Sequence, residues 1–338
     1  MASIVNTQLS DGTFFGLGHP MLDVSTHVSN EFLQRLKEIF TNGNYHLNYN
    51  AGGSTQNTLR TINWLLDRPN ITVCMGCIGN DESGKILEEQ MENCLYQKTS
   101  DSPTATCLIL ITEQARSMIT DLGAANRFTI DYLNKSENWL YVERAKLFYI
   151  PGYFVRTCPE AVFKLARHAA NTKKIFALNL SAEYICQKFG DILMQLLPFI
   201  DFLFGNEQEV KCFAQYQMKN NTNDDILPIA RELQKLLIKN TKTCVIVTHG
   251  ADPIILASNH GVKVFAVKRL SKIVDTIGCG DAFVGGFLAY WSLDGSIDEC
   301  INAACYCAYE CLSQTECQFT NKPLFNQTER FCELEDSC

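Results

Sequence analysis

Short apolar runs rich in β-branched residues alternate with amphipathic segments along most of the chain, and this alternation restricts the possible folds more than any other feature. The candidate strands are 14–18, 71–78, 105–112, 146–150, 175–178, 202–204, 244–248 and 262–267. The candidate helices are 55–66, 82–93, 159–171, 207–216, 226–239, 281–291 and 297–312. Strand–helix repetition predicts an α/β fold with a mostly parallel sheet covered by helices. No repeat or linker divides the sequence, so we expect one domain over 1–338.

Charge and hydropathy exclude several classes of function. The 338 residues include 29 Lys and Arg against 37 Asp and Glu, a formal net charge of -8, and no basic run offsets it. We therefore expect no nucleic-acid partner. The N-terminus lacks a basic segment followed by an apolar one, and the most apolar stretch, 193–204, is interrupted by Pro198 and Asp201. These features predict no membrane contact and a location in the cytoplasm, with the nucleus as a second compartment.

The sixteen cysteines are expected to be free thiols, because a reducing compartment does not favour a disulfide framework. Cys74 and Cys77 form a C-x-x-C inside an apolar run, and the cysteines between 300 and 311 have no histidine nearby. We interpret them as small buried hydrophobic residues rather than as metal ligands.

The segment 275–281, Asp-Thr-Ile-Gly-Cys-Gly-Asp, precedes an apolar, glycine-rich helix. Two glycines allow a tight turn into the helix, whose N-terminus carries unpaired N–H groups and partial positive charge. The segment therefore predicts an anion site. Asp281 would repel a phosphate unless it acts on an incoming nucleophile. The alternative is that Asp281 only caps the helix.

Two further glycine-containing junctions differ in what they predict. Segment 51–57 leads into a helix, and its Ser54 and Asn57 offer hydrogen bonds suited to sugar hydroxyls; a turn with a serine cap is the alternative. Segment 79–85 nearly matches a phosphate-binding loop, but Ile86 replaces the magnesium-binding hydroxyl, and Asp81 and Glu82 bring negative charge. We interpret it as a turn that caps the following helix.

Two other segments carry candidate phosphate or metal contacts. Asn206 and Glu209 are oxygen donors one helical turn apart, suited to Mg²⁺ through water, although a capping box has the same spacing. Arg116 follows a candidate strand and is either a phosphate clamp or an ordinary surface arginine.

Taken together, these segments resemble one family. Segment 275–281 is similar to the D-T-x-G-A-G-D signature of the ribokinase-like (PfkB-type) carbohydrate kinases, and 76–84 resembles that family's G-x-x-G-x-D-x-x-G segment. Segments 51–57, 179–182, 205–207 and 281–288 resemble the eukaryotic adenosine kinase branch. The resemblance extends from about Gly16 to about Phe319.

The resemblance implies an enzyme that transfers the γ-phosphoryl group of ATP to the 5′-hydroxyl of adenosine with Mg²⁺, giving AMP and ADP. It also implies a ribokinase-like fold with a small β lid, contributed by segments around 14–50 and 105–125, and we expect a monomer. The alternatives are another nucleoside or sugar kinase of the family, or a non-catalytic nucleoside-binding protein.

Each implied role falls on a residue of this sequence. The catalytic set is the base Asp281, the anion hole Gly278, Cys279 and Gly280, and the phosphate clamp Arg116. The nucleoside set is Asp23 for the ribose, Ser54 and Tyr153 for the purine, and His19, Met21, Gly52, Gly53, Asn57 and Met118. The ATP set is Asn206, Thr248, Gly250, Gly278, Gly280 and Cys305. The metal set is Asn206 and Glu209.

The sequence departs from the family pattern in four places. His19 replaces a usual asparagine, Ile277 and Cys279 replace asparagine and alanine in the signature, and Cys305 replaces a histidine near the ATP adenine. The span from Asp23 to Ala51 looks shorter than in the family, which implies a reduced lid.

Overall fold

The structure is a computed structural model that describes residues 9–27, 48–111, 116–218, 225–239, 242–326 and 328–335. Its strands are β1 Phe14–Leu17, β2 Met21–His27, β3 Asn48–Gly52, β4 Thr72–Gly79, β5 Cys94–Thr99, β6 Thr106–Ile111, β7 Arg116–Asp121, β8 Leu147–Pro151, β9 Ile175–Asn179, β10 Phe202–Asn206, β11 Cys244–His249, β12 Asp252–Ser258, β13 Gly261–Val267 and β14 Cys332–Leu334. Its α-helices are α1 Ser54–Leu66, α2 Glu82–Gln90, α3 Ile130–Asn134, α4 Ser136–Arg144, α5 Pro159–Asn171, α6 Glu183–Leu196, α7 Glu207–Gln217, α8 Ile226–Leu236, α9 Cys279–Trp291 and α10 Ile297–Leu312.

A ten-stranded sheet forms the centre of the molecule, in the order β14-β13-β12-β11-β10-β9-β8-β1-β4-β5. The pairs from β5 to β11 are parallel, and the pairs from β11 to β14 are antiparallel. The predicted α/β fold with a mostly parallel sheet is therefore confirmed.

Both faces of this sheet are buried. Phe14 and Phe15, neighbours on β1, are fully buried in two different core clusters, one on each face. On β8, Phe148 and Tyr149 divide in the same way. Successive side chains of a strand point to opposite faces, so a strand covered on both sides reads as a continuous apolar run. This is why these strands were visible in the sequence.

A second sheet has four strands in the order β3-β2-β6-β7. Of these, only β6 was predicted. Polar residues interrupt β2 and β3, and β7 is mostly exposed, so none of the three reads as a continuous apolar run. The sequence also gave no indication of β5, β12, β14, α3, α4 or α6. Residues 28–47, part of the segment expected to form a lid, lie outside the described residues.

Several predicted bounds were wrong. The helix expected over 82–93 ends at Gln90, and the one expected over 226–239 ends at Leu236. The helix expected to start at Asp281 already begins at Cys279, with Gly278 as its N-cap. Segment 79–85 was interpreted as a capping turn rather than a phosphate-binding loop, and this is confirmed. Asp81 is the N-cap of α2 and accepts a hydrogen bond from the Gly84 N–H at 2.9 Å.

The described cysteines are free, and thirteen of these fifteen are buried, as expected. A search of the described helices finds none with the length and apolarity needed to cross a bilayer.

Helix α9 is held closely against α1 and α10. A Cβ atom on Gly285 would lie 2.7 Å from the Thr58 carbonyl oxygen and 2.7 Å from Thr61 Cβ, both on α1. One on Gly286 would lie 2.6 Å from the Ala303 carbonyl oxygen on α10. These glycines bring α9 next to the backbones of its neighbours. Both α1 and α9 contribute residues to the wall of the cavity described below.

We expect Gly285→Ala to lower the free energy of unfolding by about 1–3 kcal/mol, because the added methyl group meets fixed backbone. Gly190→Ala on α6 is the matched control, since the three atoms nearest its methyl group all belong to the flexible Gln217 side chain and none to the backbone. The control should be neutral or gain up to ~1 kcal/mol of helix propensity. Urea unfolding of both variants measures the difference, and equal stabilities would contradict this account of the packing.

Candidate active site

A cavity of about 1040 Å³ opens at the carboxyl end of the parallel strands. Pro151, Asn179, Asn206 and Thr248, which lie at or near the ends of β8, β9, β10 and β11, contribute to its wall. Ligands bind at this edge in open α/β sheets, because loops and helix N-termini meet there. The four-stranded sheet covers another side through Met21, Asp23, Cys107 and Met118.

The glycine turn ends at this cavity, with Gly278 and Gly280 in the wall. Gly278 has φ +76°, a left-handed conformation that glycine adopts without strain. Asp275 holds the turn, since its carboxylate accepts hydrogen bonds from the N–H groups of Ile277 and Glu316, both at 3.1 Å. The first N–H groups of a helix have no acceptor within it. The N-terminus of α9 therefore presents donors and partial positive charge to the cavity.

Asp281 lies in the first turn of α9, and its side chain does not cap the helix. Its carboxylate accepts hydrogen bonds from Ser54 Oγ at 2.5 Å and Asn57 Nδ2 at 2.9 Å, and it faces the cavity. Burial raises the pKa of Asp281 to about 6, although both hydrogen bonds act in the opposite direction. Of the two interpretations of the sequence, the structure does not support the capping role.

Ser54 contacts both the cavity and Asp281, and the sequence indicated only the first of these contacts. It is in the cavity wall, as the assigned purine contact requires, but its hydroxyl donates to Asp281. Behind it, the Tyr149 hydroxyl lies 3.4 Å from Ser54 Oγ. Tyr149 is fully buried, and burial raises its pKa, so it remains a hydroxyl. Sequence reasoning missed Tyr149, because it reads as one more apolar residue of a buried strand.

Asp23 lies on β2 in the wall of the cavity and is 7% exposed. Burial, and after it the nearby Glu316 carboxylate, raise the pKa of Asp23 to about 8. Gly52 leaves room for this carboxyl group, since a Cβ atom there would lie 1.9 Å from Asp23 Oδ2. At Gly53, which has φ +94°, a Cβ atom would lie 2.3 Å from the His19 carbonyl oxygen. Gly52 thus supports Asp23, and Gly53 itself lies in the wall.

The remaining predicted nucleoside residues also lie in the wall: His19, Met21, Asn57, Met118 and Tyr153. His19 is buried, with Nε2 2.8 Å from Thr157 Oγ1, and burial together with Arg156 lowers its pKa to about 3, so the imidazole is neutral.

The Tyr153 and Tyr184 rings lie 6.3 Å apart, and sequence reasoning missed Tyr184. It also missed Asn126 and Arg156, which are polar residues of the wall without a recognisable local motif, and it gave no role to Asn179 and Ser181 of segment 179–182.

Asn206 and Glu209 form the capping box of α7 and also lie in the wall. Asn206 Oδ1 accepts from the Glu209 N–H at 2.8 Å, and Glu209 Oε2 accepts from the Asn206 N–H at 2.9 Å. Both interpretations of this pair are therefore compatible with the structure. Burial raises the pKa of Glu209, so a cation beside it would be favourable. Within the described residues, no group of three acidic, histidine or cysteine side chains is arranged for a metal ion.

Some predicted residues are not in the wall. The Cys279 thiol is directed toward the Asp275 carbonyl oxygen, 3.8 Å away. Of Cys279, therefore, only the backbone can serve the predicted anion hole. Cys305 is buried in the core beside Cys332, which moves it from the expected ATP contact into the packing of α10. Gly250 lies in an exposed turn after β11. Arg116 begins β7, and its side chain lies outside the described residues.

The raised pKa of Asp281 has a consequence for stability that needs no ligand. A carboxyl group that binds its proton more tightly when folded makes the free energy of unfolding fall as pH rises from about 4 to about 6. Asp281→Asn removes this penalty, so the variant should be more stable than wild type above pH about 6, by on the order of 2 kcal/mol. The difference should disappear near pH 4. Urea unfolding across this range measures it, and a difference independent of pH would contradict the assignment.

Comparisons with known proteins agree with this geometry. Residues 31–323 match the pfkB family of carbohydrate kinases. Adenosine kinase 2 of Arabidopsis thaliana is 36% identical, over 94% of this chain and 98% of the relative. Adenosine kinase of Saccharomyces cerevisiae is 40% identical, over 71% of each chain.

Solved structures are similar as well. Anopheles gambiae adenosine kinase, in complex with P1,P4-di(adenosine-5) tetraphosphate, superposes with a TM-score of 0.85 at 35% identity, over 94% of this chain and 100% of that one. Schistosoma mansoni adenosine kinase in complex with adenosine gives a TM-score of 0.83 at 26% identity, over 93% and 99%. The fold, the glycine turn and these similarities agree, and the chain belongs to the adenosine kinase branch of the pfkB family of carbohydrate kinases.

Proposed function

We propose that this chain transfers the γ-phosphoryl group of ATP to the 5′-hydroxyl of adenosine, giving AMP and ADP. The observation that carries the proposal is the position of Asp281. Its carboxylate stands beside the N-terminus of α9 and faces the same cavity as Asp23. A proton acceptor, an anion site and a second carboxyl group for a sugar thus share one space.

Asp281 acts as the general base. An alcohol is a weak nucleophile at neutral pH, and a carboxylate within hydrogen-bond reach accepts its proton as the bond to phosphorus forms. A pKa of about 6 leaves Asp281 ionised at neutral pH and basic enough to take that proton. The hydrogen bonds from Ser54 and Asn57 fix the direction of the carboxylate.

The glycine turn and Arg116 supply the electrostatic part of the mechanism. Backbone N–H groups of Gly278, Cys279 and Gly280 meet the charge on the transferring phosphoryl group, as the resemblance implies. Preorganised donors of this kind usually contribute more than the base, because the phosphoryl group needs mainly positioning and charge stabilisation. We assign Arg116 to the phosphates from its motif, and Thr248 to the ATP side of the cavity from its place in the wall.

Magnesium fits the charge balance of the cavity. Among the described residues of the wall, Asp23, Asp121, Glu209 and Asp281 bring carboxyl groups, whereas Arg156 is the one guanidinium. Asn206 and Glu209 would hold the ion together with water, since Mg²⁺ is usually bound by one or two carboxylates and substrate phosphates. When bound, it supplies positive charge to the phosphate oxygens of ATP.

The other side of the cavity is assigned to the nucleoside. Asp23 accepts hydrogen bonds from the ribose hydroxyls and holds the 5′-oxygen in line with phosphorus. Tyr153, with Tyr184 beside it, provides an aromatic surface for the purine, and Met21 and Met118 provide apolar contacts. A bare sugar would leave this apolar surface empty, which favours a nucleoside substrate.

We assign the four-stranded sheet as a lid, because it carries Asp23 and Met118 over the cavity. Closure over the substrates would exclude water as a competing acceptor. A monomeric state and a cytoplasmic location remain predictions.

An assay of ADP release with adenosine, ribose and inosine tests the proposal against its alternatives. We expect adenosine to be the best acceptor and Asp281→Asn to lower kcat roughly 10²–10⁴-fold, because only the base is lost. Adenosine binding, measured by calorimetry, should change little. The control is Asp131→Asn, an exposed first-turn residue of α3, which should leave kcat unchanged.

A preference for ribose or inosine would indicate another kinase of the family, and adenosine binding without turnover in wild type would indicate a binding protein. Near-normal turnover of Asp281→Asn would remove the base assignment.

The pH dependence of the reaction provides a separate test. We expect kcat/KM to rise with pH through about 6, as Asp281 ionises in the free enzyme. The Ser54 hydrogen bond favours the ionised form, so Ser54→Ala should raise the Asp281 pKa and move this acid limb to higher pH. Tyr149→Phe, which keeps the Ser54 hydroxyl, should move the limb less. An unchanged acid limb in Ser54→Ala would show that another group titrates there.

A further inference from the structure

Three cysteines from separate segments meet behind the glycine turn. Cys279 is the first residue of α9, Cys311 lies in the last turn of α10, and Cys317 follows in the loop after that helix. We call these three residues the thiol cluster. The Cys279 and Cys317 thiols lie close enough to Cys311 to raise the pKa of its thiol.

The thiol cluster encloses the backbone of the turn. Cys311 Sγ donates to the Ile277 carbonyl oxygen at 3.4 Å, and Cys279 Sγ lies 3.8 Å from the Asp275 carbonyl oxygen. On the remaining side, a Cβ atom on Gly278 would lie 2.6 Å from Cys317 Cβ. The segment that presents the anion site is therefore in direct contact with three thiols.

The thiols differ in exposure. Cys279 is half-buried, and its neighbours Gly278 and Gly280 lie in the cavity wall. Cys311 and Cys317 are buried, at 0% and 2% exposure. Of the three thiols, Cys279 is the one that is partly exposed, so a small oxidant reaches it before Cys311 and Cys317.

We propose that Cys279 and Cys311 form an oxidation site, in which a disulfide between them reversibly inactivates the enzyme by displacing the glycine turn. The inactivation rests on the proposed kinase function, whereas the disulfide itself does not.

The chemistry needs a peroxide as the oxidant. The peroxide ROOH transfers one oxygen to the Cys279 thiol, giving a sulfenic acid and the alcohol ROH. The Cys311 thiol then attacks the Cys279 sulfur, an S–S bond forms and water leaves. The two thiols lose two hydrogen atoms in total, and the peroxide is reduced to an alcohol and water. A dithiol reductant reverses the step by exchange.

The disulfide changes the geometry of the turn. An S–S bond is roughly 2.0 Å long, much shorter than the separation of two sulfur atoms that are not bonded to each other. Cys311 belongs to a buried helix in the core, so the turn at Cys279 makes most of the adjustment. Displacement of a positioning group by about 1 Å can reduce a rate on the order of 10²-fold.

Treatment of the full-length protein with hydrogen peroxide tests the proposal. We expect kcat to fall at least ~10-fold, on the scale of a 1 Å misplacement, and to recover with dithiothreitol. Mass spectrometry of the alkylated protein should show the loss of two hydrogen atoms, and peptide mapping should join the Cys279 and Cys311 peptides.

Cys311→Ala should retain its activity after peroxide, because the partner thiol is absent and Cys311 contacts no substrate. The matched control is Cys300→Ala, which is buried on the same helix outside the thiol cluster and should be inactivated like wild type. Equal inactivation of Cys311→Ala and wild type would overturn the proposal.

The proposal would also be overturned if inactivation were accompanied only by other disulfides. Examples are Cys311 with Cys317, Cys74 with Cys94, and Cys305 with Cys332. Failure of the kinase function is distinguishable, because unoxidised wild type would then release no ADP with adenosine while the peptide map still reports the linkage.

Discussion

The buried carboxylate of Asp281 is the group around which the cavity is organised. Burial of a carboxylate is unfavourable, and what offsets it is two neutral hydrogen bonds, from Ser54 and Asn57 of α1, together with the positive charge of Arg60 on the same helix. Helices α1 and α9 must therefore stay in close contact, and Gly285 permits this by leaving room for the α1 backbone. The close packing of the two helices is thus what keeps the Asp281 carboxylate in its orientation.

Features that depend on neighbouring residues in the chain were predictable from the sequence. The helices over 159–171 and 297–312 have the expected bounds, because a proline starts the first and Ser296 with Glu299 forms a capping box at the second. The turn at Gly278 was also recognisable, since its glycines, the following apolar helix and Asp281 lie within one short segment. Local signals of this kind determine backbone conformation directly.

Features that depend on distant residues were not predictable in this way. Tyr149 looks like a core residue, and its position behind Ser54 follows only from the placement of β8 beside α1. Glu316 donates its N–H to Asp275, 41 residues earlier, and no pattern in either segment indicates the pair. Strands β2 and β3 were missed because polar residues interrupt their apolar pattern. One of these is the buried Asp23, which the family resemblance alone identified.

The carboxyl groups of the cavity explain how one site can serve two ligands of different charge. Asp23, with a pKa of about 8, is mostly protonated at neutral pH, whereas Asp281, with a pKa of about 6, is mostly ionised. The charge of Asp281 raises the pKa of Asp23, which disfavours ionisation of both carboxyl groups together at neutral pH. Ribose hydroxyls would favour ionised Asp23, and positive charge near Glu209 would offset the phosphates. On this basis the ligands, together with Arg60 and Arg156, complete the electrostatic balance of the site.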